Sequence, residues 1–289
     1  MKVSIIGAGL MGSAIADAVL NAGHDTVVFD RNPPKLEPLL ERGAKVARSV
    51  REAILATELV ILVLPDARCV QDALFGEDAT AIALRGKRVL NASTTNALEI
   101  SEIARRTEEH GGSLAEISIM VGPKDVRDKQ AFYLLGCSEN EQAFWSEFLL
   151  SIGQSFYRVG VVGDASKAEA PIVMASIFGI LGAAYAASVA LKLGLPSELT
   201  DGYANFLMPG TEPLLSKMLS RNYENAYASV NSLVGVANAA EGTAKALGLP
   251  GRIFEEAGNI FKDAAARGFG HMDGAAIVEL MLKPDSKHA

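Results

Sequence analysis

GDASKAEAPIVMASIFGILGAAYAASVALKLG, residues Gly163 to Gly194, divides this chain of 289 residues into two unlike halves. It opens with small and charged residues, then runs from Ala170 to Leu191, 22 residues, without a charge. On its N-terminal side short apolar runs alternate with polar segments, and on its C-terminal side the patterns are helical. As a helix the uncharged run is about 33 Å long, enough to span a bilayer. It is rich in Ala, Gly and Ser rather than Leu and Ile, and it contains Pro171. No second span or aromatic belt accompanies it. A helix apolar all round is equally what a position packed on every side by protein requires. The stretch therefore reads as a buried inter-domain helix, with no membrane partner.

Upstream, Val3–Ile6 reads as a short buried strand, followed by GAGLMG at Gly7–Gly12 and an amphipathic helix ending at Gly23. Val27–Phe29 reads as a second strand, ending in Asp30. Strand, G-x-G-x-x-G, helix, strand and acid in that order form the dinucleotide-binding fingerprint in its proper context. Gly7 allows the tight turn, Gly9 lets backbone approach a pyrophosphate, and Gly12 lets helix pack on strand. With Ala8, Leu10 and Met11 these make the candidate phosphate loop, and the helix N-terminus offers free N–H groups. Asp30 suits the ribose 2′-OH of NAD(H) and repels a 2′-phosphate, whereas Arg31 beside it suits the phosphate of NADP(H). Of the two, NAD(H) is the favoured cofactor.

Further along, Leu59–Leu64 (LVILVL) is the fully apolar strand of a parallel sheet. Leu64 and Pro65 lie at its C-terminal end, where such sheets bind ligands. Val89–Asn91 is another strand, and Asn91, Ser93 and Thr94 in the run NASTT follow as candidates to hydrogen-bond a nicotinamide. The alternative is that this run caps the helix Ala97–Thr107. Gly112–Val121, Ala131–Gly136 and Phe156–Val159 complete the strands, with a helical pattern over Asn140–Ile152. Downstream, Ser197 caps a helix beginning at Glu198, which Met208-Pro209-Gly210 breaks. Thr211–Arg221, Tyr223–Leu247 and Arg252–Arg267 follow with apolar 3–4 spacing, and Asp273 caps a last helix, Gly274–Leu282. The expected fold is α/β: an N-terminal Rossmann dinucleotide-binding domain at 1–162, an inter-domain helix at 163–194, and an all-α substrate and dimerisation domain at 195–289.

Composition bounds the function classes. A net charge of −7 with no Lys/Arg cluster argues against a nucleic-acid partner. Two cysteines, Cys69 and Cys137, make no disulfide framework, which fits a reduced cytoplasmic setting. The opening MKVSIIGAG is too short an apolar run for a signal peptide. His24, His110, His271 and His288 are scattered without metal-ligand spacing, so no metal is expected.

The chain resembles the β-hydroxyacid dehydrogenase superfamily (3-hydroxyisobutyrate dehydrogenase-like), and within it looks more like the imine reductases. GAGLMGSAIADAVLNAGH is similar to the family's N-terminal signature, and RGFGHMDGAAIVEL at Arg267–Leu280 resembles its C-terminal one. The middle departs from the hydroxyacid branch, whose substrate loop reads Asp-Ala-Pro-Val-Ser-Gly-Gly and holds a carboxylate. Here it reads Glu116-Ile117-Ser118-Ile119-Met120-Val121-Gly122-Pro123, which looks like the imine reductase version. The hydroxyacid branch carries a Lys six residues after a glycine, and imine reductases commonly carry Asp or Tyr there. In this chain Gly163-Asp164-Ala165 aligns without gaps and the sixth residue is Glu169; Lys167 serves only if two residues are deleted.

The resemblance thus implies an NAD(P)-dependent oxidoreductase moving a hydride between nicotinamide and a C=N or C=O carbon of a small molecule, with Glu169 as proton donor or electrostatic stabiliser. The alternatives are a hydroxyacid dehydrogenase using Lys167 and a cofactor-binding protein without catalysis. Residues two apart lie about 200° around a helix, so Lys167 and Glu169 cannot both face one cleft. Met120, Val121, Ser176, Tyr203 and Asn238 are candidate substrate contacts, and Asp164 is the expected N-cap of the long helix. The resemblance also implies a homodimer with exchanged C-terminal domains, the apolar helix being too long to leave half exposed on a monomer.

Overall fold

The computed structural model describes residues 1–76, 81–196 and 212–283. These divide into two compact units, Met1–Ala170 and Pro171–Ala289.

The first unit is built on an eight-stranded sheet in the order β3-β2-β1-β4-β5-β6-β7-β8. Its strands are β1 (Lys2–Ile6), β2 (Asp25–Phe29), β3 (Lys45–Val46), β4 (Leu59–Leu62), β5 (Arg88–Asn91), β6 (Ser113–Ile119), β7 (Phe132–Gly136) and β8 (Ser155–Gly160). Strands β1 to β6 pair in parallel. β7 then runs antiparallel to β6 and parallel to β8, so the sheet is mixed where the sequence had suggested a parallel one. The central strands are apolar on both faces because helices cover both. On one face α1 (Leu10–Asn21) and α7 (Gln142–Ile152) bury Ile15, Val19, Trp145 and Phe148. On the other α3 (Val50–Ala56), α4 (Ala67–Phe75) and α5 (Ala97–Glu109) bury Ile54, Leu74 and Ile100. The short α2 (Glu37–Glu41) and α6 (Pro123–Arg127) complete the unit's helices.

The long stretch is one helix, α8 (Asp164–Leu193), which runs through the boundary between the units. Pro171 lies inside it and leaves the Lys167 carbonyl without its i+4 donor. The helix is long and apolar enough to cross a membrane, and only 28% of its most apolar window is buried. Ile177, Ala183, Ala184 and Ala187 face the core, whereas Ile172, Phe178, Tyr185, Val189 and Leu193 are exposed. The expected burial on every side is therefore not supplied by the described residues.

The second unit is helical: α9 (Glu212–Ser220), α10 (Val230–Ala246), α11 (Arg252–Ala264) and α12 (Ile277–Leu282) pack around Leu233, Ala237, Phe254 and Phe261. The expected helix over Tyr223–Leu247 begins seven residues late. Arg221 and Asn225 adopt positive φ, and Ser229 caps α10 by accepting from Ser232 N at 3.2 Å. Asp273 caps the last helical segment as expected, accepting from Ala275 N at 2.9 Å. Its buried acids take partly exposed cations: Lys217 Nζ lies 2.8 Å from Asp273, and Arg221 and the Tyr223 hydroxyl converge on Glu279. Ser197 and the Met208-Pro209-Gly210 break lie outside the described residues, as does Tyr203.

Candidate active site

The turn between β1 and α1 is set by its glycines. Gly7 has φ +103°, and a Cβ there would stand 2.2 Å from the Val63 carbonyl oxygen. A Cβ on Gly12 would stand 1.9 Å from the Gly7 oxygen. Both glycines are demanded by chain packing alone. Gly9 differs: its φ is −72° and a Cβ would meet nothing within 4 Å. Gly9 is also the N-cap of α1 and brings no side chain to the helix's first N–H groups. These point outward beside Leu10, which is exposed, and Met11, which is half-buried. The loop has the form of an anion cradle.

Asp30 closes one side of this loop. Its Oδ2 accepts from Ala8 N at 2.7 Å and its Oδ1 from Asn32 N at 2.8 Å, while Arg31 is exposed. A carboxylate has about four lone-pair sites, so Asp30 can shape the loop and still accept another hydrogen bond. On the other side, Asn91 and Ser93 are buried and committed to the loops themselves. The Asn91 amide donates to the Ser93 carbonyl at 2.9 Å, and Leu64 N donates to Ser93 Oγ at 2.8 Å. The helix cap expected from the hydroxyl run is instead Asn96, in a reciprocal box with Glu99. Thr94 and Leu64 are half-buried and Pro65 is exposed. Thr95 Oγ is buried with no hydrogen-bond partner among the described residues. An orphaned hydroxyl at the C-terminal end of β5 and an open cradle at Gly9 suit a dinucleotide's nicotinamide and pyrophosphate ends.

The catalytic candidates stand on the first turns of α8. Lys167 is exposed and its Nζ pairs with Asp164 at 2.8 Å. Glu169 turns the other way, as helix geometry requires, and its Oε2 accepts from Ser118 Oγ at 2.8 Å. Burial pushes the Glu169 carboxyl above its ordinary range, the neighbouring Glu116 charge adds to this, and the Ser118 hydroxyl opposes it. Asp164 is the first residue of α8 and not its N-cap, its carboxylate accepting instead from Val161 N at 3.0 Å. The acceptor at that helix start is Glu116, a β6 side chain 2% exposed. Its Oε1 accepts from Gly163 N at 2.5 Å and Ala165 N at 2.9 Å, and its Oε2 from Ser166 Oγ at 2.6 Å. In the sequence Glu116 stands only as the first residue of the loop motif Glu116–Pro123. Its signal is a carboxylate in the middle of the strand SLAEISI.

Met120 and Val121 follow β6 and are half-buried, with Met120 N donating to the Phe132 carbonyl at 3.2 Å. Ser176 and Asn238 are exposed residues of the second unit, and the Ser176 hydroxyl donates to Val173 O at 2.8 Å. Among the described residues no three His, Cys, Asp or Glu side chains gather to hold a metal ion.

Residues 2–163 match the family described as the NAD binding domain of 6-phosphogluconate dehydrogenase. The oxidoreductase YfjR of Bacillus subtilis (strain 168) is 27% identical over 96% of this chain and 99% of its own length. An NADPH-dependent reductive aminase of Aspergillus oryzae is 30% identical over 75% of this chain and 71% of its own. Among solved structures, a 3-hydroxyisobutyrate dehydrogenase of Salmonella typhimurium superposes with a TM-score of 0.82 at 24% identity, covering 97% of this chain and 99% of that one.

Proposed function

Because this chain belongs to the β-hydroxyacid dehydrogenase superfamily and is an NAD(P)-dependent oxidoreductase, we propose that it reduces a C=N or C=O carbon of a small molecule, with Glu169 delivering the proton. The observation that carries this reading is the partly desolvated Glu169, held by Ser118 and facing the Glu116 charge. Bound nicotinamide supplies the hydride. Glu169, protonated, would give its proton to the imine nitrogen or carbonyl oxygen as the carbon takes the hydride, and remain as the carboxylate. Met120 and Val121 offer no donor side chain to hold a substrate carboxylate, which supports an uncharged or cationic substrate over a hydroxy acid. Ser176, Tyr203 and Asn238 remain candidates for the substrate from the second unit. Lys167, engaged by Asp164 and exposed, gives the hydroxyacid alternative no support.

For the cofactor, the cradle is Gly7 to Gly12 with the α1 N-terminus, and Thr95 is the donor for the nicotinamide end. Asp30, a carboxylate just after β2, suits a ribose 2′-hydroxyl and repels a 2′-phosphate, which supports NAD(H) over NADP(H). The exposed apolar side chains of α8 support a homodimer with exchanged helical domains that covers them, and no membrane. The two free cysteines fit a cytoplasmic setting. Incubating the protein with cyclic imines, small aldehydes and hydroxy acids, each with all four cofactor forms, tests the reading. Turnover is expected for imines or carbonyls with NADH above NADPH. Turnover of hydroxy acids alone overturns it.

A further inference from the structure

Glu116 and Ser118 stand two apart on β6 and so point to the same side of the strand. Both grip the start of α8. Glu116 takes the amides of Gly163 and Ala165 and the Ser166 hydroxyl, and Ser118 takes Glu169 one turn further on. The fit at Glu116 is close: a Cβ on Gly136 of β7 would lie 2.7 Å from its Oε1. Nearby charged groups are directed elsewhere. Lys167 pairs with Asp164, and an Arg158 guanidinium N–H donates to the Cys137 carbonyl at 3.0 Å. From β6, β7 and the β8–α8 turn, the titratable side chain influencing Glu169 is Glu116.

We propose that Glu116 is the positioning residue for Glu169, a buried carboxylate that fixes the first turn of α8 and stands as the ionised member of a Glu116/Glu169 pair whose proton resides on Glu169. This rests on the reading of Glu169 as proton donor. The division of roles follows from donor count. Burial disfavours charge on both groups, but Glu116 gathers backbone N–H groups of a helix N-terminus and a hydroxyl, whereas Glu169 has the Ser118 hydroxyl. The Glu116 charge disfavours ionisation of Glu169, and the carboxylate with more donors holds its charge the more readily.

The test is infrared titration of the protonated-carboxyl stretch in wild type, Glu116→Gln and Glu169→Gln, with kcat against pH measured alongside. The other buried carboxylates, Asp17, Asp273 and Glu279, are ion-paired; they and Glu99 are present in both variants, so their bands are subtracted. In wild type a buried carboxyl is expected to keep its proton above the ordinary glutamate range, and this band is absent in Glu169→Gln. In Glu116→Gln, with unchanged circular dichroism, its titration midpoint falls by about one pH unit, and the alkaline limb of kcat falls with it. Glu116→Asp, which restores the charge, returns the midpoint towards wild type. A shifted band with an unshifted kcat limb upholds Glu116 as the partner and removes Glu169 as proton donor. An unmoved midpoint in folded Glu116→Gln overturns the proposal. If that variant does not fold, a buried protonated carboxyl in Glu169→Gln that titrates as high as the wild-type band overturns it, because that proton then sits on Glu116, and its absence upholds it.

Discussion

Glu169 holds its proton at pH values where a free glutamate has lost it, because burial and the Glu116 charge outweigh the Ser118 hydrogen bond. The sign of the stability effect follows directly. With the folded pKa raised above the unfolded one, the stabilisation is full below the ordinary glutamate range and is lost as pH rises through the folded value. Urea unfolding across this interval is expected to show wild-type stability falling with pH, by at most about 1.4 kcal/mol per pH unit for one proton. Glu169→Gln should flatten that fall, and an unchanged slope would show that Glu169 does not titrate between the two states. The sequence pointed to Glu169 by its place after Gly163-Asp164-Ala165. It could not show Glu116, which is 50 residues from Ser166 and meets it only through folding. It also misplaced the helix cap on Asp164, because local capping statistics do not see a carboxylate arriving from another strand.

At the scale of elements, the glycine loop separates what folding requires from what a cofactor requires. Gly12→Ala drives a methyl into the Gly7 carbonyl and should cost about 1–3 kcal/mol of stability as well as cofactor binding. Gly9→Ala meets open space at an ordinary φ, so stability should hold within about 0.5 kcal/mol. Its methyl should nevertheless raise the NAD(P) dissociation constant about tenfold or more, a loss of about 1.4 kcal/mol. Paired unfolding and cofactor titrations check both, and undiminished binding in Gly9→Ala would remove the loop from the cofactor site. In the helical unit, Asp273 is 3% exposed, caps the last segment, accepts from Tyr227 N at 3.0 Å and pairs with Lys217. Asp273→Ala should lower stability by about 3–5 kcal/mol, seen as a lower urea midpoint at unchanged slope. Strands β1, β2, β4 and β5 were legible because apolar runs between glycine and polar breaks mark buried strands. The reversal at β7 was not, because period-2 patterning carries no direction. The late start of α10 was hidden too, since Tyr223, Ala226 and Tyr227 continue a helical spacing that the backbone at Asn225 breaks.

For the whole molecule, the apolar side of α8 sets the expected assembly. Tyr185 and Val189 are 59% and 53% exposed on a helix whose opposite side is core. Sedimentation should give a dimer, and Val189→Glu should shift it towards monomer with an unchanged far-ultraviolet spectrum; a monomeric wild type would contradict the exchanged-domain reading. Both halves of the architecture were visible from the Gly163–Gly194 stretch and the fingerprint before it, whereas the substrate is written in no local pattern. The central claim, that Glu169 is the proton donor in NAD(P)H-dependent reduction, is tested most directly by single-turnover reduction of an accepted imine or aldehyde by wild type and Glu169→Gln, each loaded with reduced cofactor. A loss of about 10²–10⁴ in rate at unchanged cofactor affinity is predicted. A rate retained within a few-fold in the folded variant would contradict it.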